Sequence, residues 1–217
     1  MTYQKVSNDN PIFDHFHFNE EGFSCKVFPN LGGSIQELTV DGIAIIKSIS
    51  LDELGLETYK TSYPSAVLFP FPNRVAQGKY SFNGEQYQLA INEPGFNNAI
   101  HGLVSNEPFT VEKIDNQSIT LRHTHDASQG FPFPYEFVIS YLFSETGLRV
   151  SFEATNIGTQ SFPFGMGWHP YFELTNYDYC SVEFTAEKTY VNNEKMVPID
   201  SESYSDEPIQ LAEAELD

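Results

Sequence analysis

The chain has 217 residues, 40% of them apolar, which is enough for one domain with a substantial hydrophobic core. Its 11 Lys and Arg stand against 30 Asp and Glu, and the net charge of −19 disfavours nucleic acids, anionic membrane surfaces and phosphorylated substrates as partners. The amino terminus shows no apolar signal core, no stretch approaches the roughly 18 apolar residues of a membrane span, and Cys25 and Cys180 are too few for a disulfide scaffold, so we expect a cytoplasmic protein.

The first predicted elements are a β-hairpin and a short helix. Ile35–Val40 and Ile43–Lys47 are predicted to be strands, and Asp41-Gly42 between them favours a tight turn. The motif Ser50-x-x-Glu53 has the spacing of a capping box and predicts the start of a helix. Tyr63-Pro64 predicts its end, because the residue before a proline disfavours helical backbone.

Three further hairpins follow along the chain. They pair Lys79–Phe82 with Glu85–Leu89 across Asn83-Gly84, Phe109–Ile114 with Ser118–His123 across Asp115–Gln117, and Phe137–Phe143 with Leu148–Ala154 across Ser144–Gly147. In the last pair, alternate residues are apolar and are predicted to face inward. Strands spaced this closely, without a βαβ rhythm, predict an all-β fold built as an antiparallel β-sandwich or barrel.

Two histidines lie at breaks between predicted strands, where a side chain can reach a ligand. His101 precedes Gly102, which lets the backbone approach a ligand closely, and an imidazole titrates near neutral pH. His169 lies beside Trp168 in Gly165–Phe172, a segment rich in flat aromatic faces that suit the C–H surfaces of a sugar. These residues indicate a sugar site; the alternative is that the aromatic side chains simply fill a β-sandwich core.

Asn73 and Arg74 follow the stiff, apolar segment Pro70–Pro72. The guanidinium group carries five N–H donors in a planar fork, and Asn73 adds a donor and an acceptor, so the pair can hold sugar hydroxyls or a ring oxygen. The alternative is a surface arginine paired with one of the 30 carboxylates.

Two histidine pairs, His15-x-His17 and His123-x-His125, place imidazoles on one strand face, as some metal sites do. No third ligand follows either pair at a diagnostic spacing, so we expect solvent-facing histidines and no metal site. Fingerprints of hydrolase elbows, nucleotide-binding loops and metalloproteases are missing from the sequence, and no cofactor is predicted.

Three segments together resemble the aldose 1-epimerase family, also called galactose mutarotases. They are Asn73–Tyr80 (NRVAQGKY), Ile100–Gly102 (IHG) and His169–Leu174 (HPYFEL), in the family's order and approximate spacing. Phe28–Ile35 resembles the family's early strand and Gly-rich turn. The resemblance implies a large galactose mutarotase-like β-sandwich, with residues 1–217 forming a single domain that lacks the family's C-terminal segment.

The resemblance also implies roles for particular residues. His169 would be the general acid that protonates the sugar ring oxygen, His101 and Arg74 would bind and polarise the sugar, and Asn73 would support Arg74. Asp217 would accept hydrogen bonds from sugar hydroxyls. The family's base is a glutamate near its carboxyl end, and this sequence ends before that segment. The resemblance therefore implies a cofactor-independent isomerase that interconverts the α and β anomers of a neutral hexose, in a chain without its base.

Two other functions stay open at this point. A non-catalytic carbohydrate-binding sandwich would keep the aromatic platform and Arg74 without the base. A hexose-6-phosphate epimerase of the same superfamily ranks last, because phosphate recognition favours clustered Arg and Lys, and this acidic chain has only three arginines. The sequence selects no particular hexose and no oligomeric state.

Overall fold

The computed structural model describes residues 1–144, 147–174, 176–204 and 208–211, and the chain divides into two compact units, 1–172 and 173–217. Among its described residues, the first unit has one helix, α1 (Glu53–Ser62), and a 3₁₀ turn at Pro11–Phe13. Its strands are β1 (Thr2–Val6), β2 (His15–Glu20), β3 (Phe23–Phe28), β4 (Ser34–Val40), β5 (Ile43–Ile46), β6 (Ala66–Leu68), β7 (Arg74–Ala76), β8 (Lys79–Phe82), β9 (Glu85–Gln88), β10 (Asn98–Ile100), β11 (Thr110–Asp115), β12 (Ser118–His125), β13 (Tyr135–Ser144), β14 (Gly147–Asn156) and β15 (Gly167–His169).

Two antiparallel sheets form the body of this unit. Strands β1 to β5 make one sheet in sequential order, and β11 to β14 make the other. Their inner faces share one hydrophobic core, in which the Phe18 and Phe143 rings pack with centroids 4.5 Å apart. The buried Tyr141 hydroxyl donates a hydrogen bond of 2.8 Å to the Gly33 carbonyl. The predicted all-β sandwich is confirmed.

The four predicted hairpins are confirmed, with strand ends shifted by a residue or two. The alternation in the longest pair is also confirmed: Phe137 and Tyr141 of β13 are buried, whereas the apolar residues of β14 are half-buried and their neighbours exposed. At Asp41-Gly42 both residues have positive φ, +50° and +76°, as a two-residue hairpin turn requires.

The predicted helix is present, but its cap differs from the expected capping box. Asp52, not Ser50, is the N-cap: its Oδ1 accepts a hydrogen bond of 2.9 Å from the Gly55 backbone N–H. The Ser50 hydroxyl donates to the same oxygen at 2.6 Å, and these bonds hold the pKa of Asp52 below its ordinary value. Asp52 takes the position because the helix begins at Glu53, and its carboxylate makes a charge-assisted bond to the first turn. The helix ends before Tyr63, which adopts a left-handed φ of +52°.

The expectation of solvent-facing histidines is wrong for His15, which is buried. Its Nδ1 lies 3.0 Å from the Phe13 carbonyl oxygen and its ring stacks on Phe28, because the 3₁₀ turn covers the start of β2. His17, His123 and His125 are half-buried rather than fully exposed. Within the described ranges, no three His, Cys, Asp or Glu side chains are grouped so that they could hold a metal ion.

The described residues of the second unit form two small antiparallel pairs and a 3₁₀ turn at Tyr177–Tyr179. Strand β16 (Ser181–Val182) pairs with β19 (Ile209–Gln210), and β17 (Lys188–Asn192) pairs with β18 (Pro198–Ser203). Nowhere in the described part of either unit is a helix both long and apolar enough to cross a membrane. The single domain expected over residues 1–217 stays a prediction.

Candidate functional site

Three segments distant in sequence meet beside the sandwich through short two-stranded ladders. Strand β15 pairs with β6, which sets His169 opposite Ala66. Strand β10 pairs with β7, which sets Ile100 opposite Arg74. Phe69 and Gly102 form a further bridge between these segments. The ends of these ladders therefore carry the predicted site residues.

The two predicted imidazoles lie side by side. The ring centroids of His101 and His169 are 5.0 Å apart, with their planes tilted by 56°. The Tyr63 and His101 rings make an edge contact with their centroids 4.7 Å apart, and the centroids of the Tyr171 and His169 rings are 5.4 Å apart. The structure thus brings together two histidines that lie far apart in the sequence.

His101 is held by its backbone and by one ring nitrogen. Its φ of +64° is left-handed, and its backbone N–H donates to the Asn73 carbonyl at 3.4 Å. Nδ1 lies 2.9 Å from the Pro72 carbonyl oxygen. Because a carbonyl can only accept, this contact selects the tautomer with hydrogen on Nδ1 and leaves Nε2 as an acceptor.

His169 is held by its backbone, whereas its ring has fewer contacts. Its carbonyl accepts a hydrogen bond of 2.8 Å from the Ser65 backbone N–H, and Trp168 Nε1 donates to the Ser65 carbonyl at 3.2 Å. Nδ1 of His169 is buried, and among the described residues it has no hydrogen-bond partner. A buried ring nitrogen without a partner is costly in a folded protein and often marks a functional group.

Arg74 lies near His101 and is paired with a carboxylate, as the alternative reading of this residue expected, whereas sugar binding by Arg74 stays a prediction. Its Nε lies 3.0 Å from each carboxylate oxygen of Glu93, and its Nη2 lies 2.9 Å from Glu93 Oε1. The Phe96 ring covers the guanidinium, with its centroid 5.8 Å from Cζ. Sequence reasoning missed Glu93, because nothing in the sequence selects one carboxylate among 30.

The other predicted residues have different surroundings. Asn73 Oδ1 accepts a hydrogen bond of 2.8 Å from the Arg74 backbone N–H, so its contact is with the backbone and not with the guanidinium. Tyr171 and Phe172 are exposed, whereas Trp168 packs against the core of the sandwich. Asp217 lies outside the described residues.

Burial lowers the pKa of both imidazoles, because it disfavours the charged form. It lowers the pKa of His101 to about 4; His169 and Arg74 push in the same direction, while the Pro72 carbonyl and Glu93 oppose the change. Burial also lowers the pKa of His169, with the backbone of Tyr63 opposing it.

The lowered pKa of His101 predicts that the protein loses stability as the pH falls. A histidine in the unfolded chain titrates near 6.5, so between 6.5 and about 4 the unfolded state binds more protons at this position. The stabilising contribution is complete above pH 6.5 and declines towards pH 4. We expect urea midpoints to fall over this range, and to fall less steeply in His101→Gln, whose amide can still donate to Pro72. Identical slopes for the two proteins would contradict the assignment.

The sequence of the chain is similar to those of known proteins. Residues 15–216 match the family model described as Aldose 1-epimerase. The chain is 34% identical over 171 residues to the uncharacterized protein YihR of Escherichia coli K12, an alignment covering 77% of this chain and 54% of YihR. It is 29% identical over 129 residues to the galactose mutarotase of Bos taurus, covering 58% of this chain and 36% of that protein.

A solved structure shows the same fold. A galactose mutarotase-like protein from Clostridium acetobutylicum superposes with a TM-score of 0.78 at 24% identity, covering 93% of this chain and 64% of that one. The chain spans about half the length of YihR and about a third of the bovine enzyme.

Proposed function

The chain belongs to the aldose 1-epimerase family, and from this premise we propose that the protein containing it interconverts the α and β anomers of a neutral hexose. The observation that supports this most directly is the His101–His169 pair, with ring centroids 5.0 Å apart beside an arginine whose charge is already compensated. Such a site offers a proton carrier and hydrogen-bond donors without a net positive charge.

The reaction needs one proton added and another removed. Protonation of the ring oxygen and removal of the hydrogen on O1 break the bond between C1 and the ring oxygen and form an aldehyde. Rotation about the C1–C2 bond and the reverse transfers close the ring as the other anomer. One group supplies the first proton and a second group takes the other, so the site must hold an acid and a base.

We assign the acid to His169 and sugar binding to His101 and Arg74. A lowered pKa makes the protonated His169 imidazole a stronger acid, and the protonated fraction grows as the pH falls. The free Nε2 of His101 can accept a hydrogen bond from a sugar hydroxyl, because Nδ1 is held by Pro72. Arg74 keeps donors that Glu93 does not occupy.

We assign removal of the O1 proton to the glutamate that the family carries near its carboxyl end, which is not among the described residues. Glu93, the carboxylate whose charge acts on His101, is engaged by Arg74 and by the Asn98 side chain at 3.1 Å. Both carboxylate oxygens of Glu93 are occupied by these contacts, so it is poorly placed to take the O1 proton.

Polarimetry tests the proposal. The gene product should speed the change in optical rotation of freshly dissolved α-D-glucose or α-D-galactose, and calorimetry should detect binding of the same sugars. Binding without acceleration would favour the second candidate, a carbohydrate-binding module. The engagement of Glu93 by Arg74 is consistent with that candidate, because it leaves Glu93 poorly placed to act as a base. A protein that neither binds nor accelerates would contradict both.

A further inference from the structure

The ion pair between Arg74 and Glu93 lies close enough to His101 for both charges to act on its imidazole. We propose that Glu93 is a positioning residue that sets substrate charge: it holds the Arg74 guanidinium in one orientation and cancels its charge, so that the site accepts uncharged sugars and rejects sugars carrying a carboxylate or phosphate. This inference rests on the proposed function and extends it to the class of substrate.

The contacts leave one side of the guanidinium available. Glu93 engages Nε through both of its oxygens and Nη2 through Oε1. A guanidinium has five N–H groups, so both hydrogens of Nη1 and the second hydrogen of Nη2 remain for a ligand. Arg74 therefore presents hydrogen-bond donors in a fixed plane, while the Glu93 carboxylate compensates its charge.

Glu93 is itself held by contacts that do not involve Arg74. Its backbone exchanges two hydrogen bonds with Asn98, of 3.1 and 3.2 Å, and the Asn98 side chain donates to Oε2 at 3.1 Å. Asn98 is buried and lies in β10, the strand that pairs with the β7 strand of Arg74. Both partners of the ion pair are thus attached to one ladder, which limits their relative motion.

Partial burial strengthens the electrostatic effect of the Arg74 and Glu93 charges. The side chains of Arg74 and Glu93 are 17% and 18% exposed, and the Phe96 ring covers one face of the guanidinium. Charges removed from water interact more strongly, and an arginine left without its carboxylate attracts another anion to the same place. Loss of the carboxylate should therefore favour an anionic sugar over a neutral one.

The test compares Glu93→Gln with Glu93→Asp and with a matched control, Glu37→Gln. Glu37 pairs with Lys26 at 2.8 Å with similar exposure, 24% and 26%, but lies in β4 on the five-stranded sheet. Each Gln variant removes one negative charge, so the control separates a local effect from the change in net charge. Dissociation constants for D-glucose and D-glucuronate are measured by calorimetry on the whole protein, together with kcat and KM for glucose.

We expect Glu93→Gln to shift the ratio of glucuronate to glucose affinity by about tenfold or more towards glucuronate, which corresponds to ~1.4 kcal/mol. Glu93→Asp, which keeps the charge, should leave that ratio near the wild-type value, and so should Glu37→Gln. An unchanged ratio in Glu93→Gln, or an equal shift in Glu37→Gln, would overturn the inference.

The results also separate this inference from the proposed function. If the wild-type protein binds glucose and Glu93→Gln gains no affinity for glucuronate, the inference fails and the function stands. If the wild-type protein binds no hexose while Glu93→Gln binds glucuronate, the charge role of Glu93 stands and the function fails. If neither protein binds either sugar, both are wrong.

Discussion

Replacing His169 with asparagine is expected to reduce the acceleration of mutarotation by about 10²- to 10⁴-fold, the contribution of one positioned acid. Asparagine keeps a polar side chain of similar size but cannot deliver a proton to the ring oxygen. The affinity for the hexose should change only a few-fold, because His101 and Arg74 remain in place. Polarimetry gives the rate, and calorimetry gives the affinity.

His125→Asn is the matched control for this variant. His125 is a half-buried histidine whose pKa is also lowered by burial, and its ring stacks on Tyr135 with centroids 4.8 Å apart in the four-stranded sheet. We expect this variant to keep the wild-type rate. Retention of the full rate by His169→Asn would remove His169 from the mechanism, and an equal loss in both variants would indicate damage to the fold.

Replacing Gly102 with alanine is expected to cost about 3 kcal/mol or more of the free energy of unfolding and to abolish sugar binding. Gly102 has a φ of +76°, and a Cβ there would lie 2.2 Å from the Phe69 carbonyl oxygen. The left-handed backbone alone costs an alanine roughly 1–2 kcal/mol, and forcing atoms apart in a packed region adds typically 1–3 kcal/mol. The bridge between Phe69 and Gly102 would open, and His101 would move with it.

Gly42→Ala separates the two contributions. Gly42 has the same φ of +76°, but nothing lies within 4 Å of the position its Cβ would take. Urea unfolding of this variant should therefore show only the backbone cost, with sugar binding intact. Equal losses of stability in the two variants would show that the clash with Phe69 adds nothing to the free-energy cost of Gly102→Ala.

The amino-acid sequence by itself marks part of the candidate site. His101, His169 and Arg74 stand out because each lies beside glycine or proline residues, and the segments around them resemble a known family. Glu93 carries no such mark: it forms an isolated β-bridge with Asn98 and becomes significant only because β7 and β10 pair and set its carboxylate against Arg74. The N-cap of α1 is a similar case. Ser50 and Asp52 both suit an N-cap position, and only the structure shows that the helix begins after Asp52.

Local physics explains what could be known from the amino-acid order alone. Alternating apolar residues and Asn-Gly or Asp-Gly turns determine strands and hairpins, because side-chain direction and positive φ are properties of a few neighbouring residues. The tertiary structure decided which distant strands pair, that His15 is buried, and that two imidazoles share one place with a charge-compensated arginine. Those outcomes depend on packing between segments far apart in the chain, where the free energy of burial and not any local preference selects the partner.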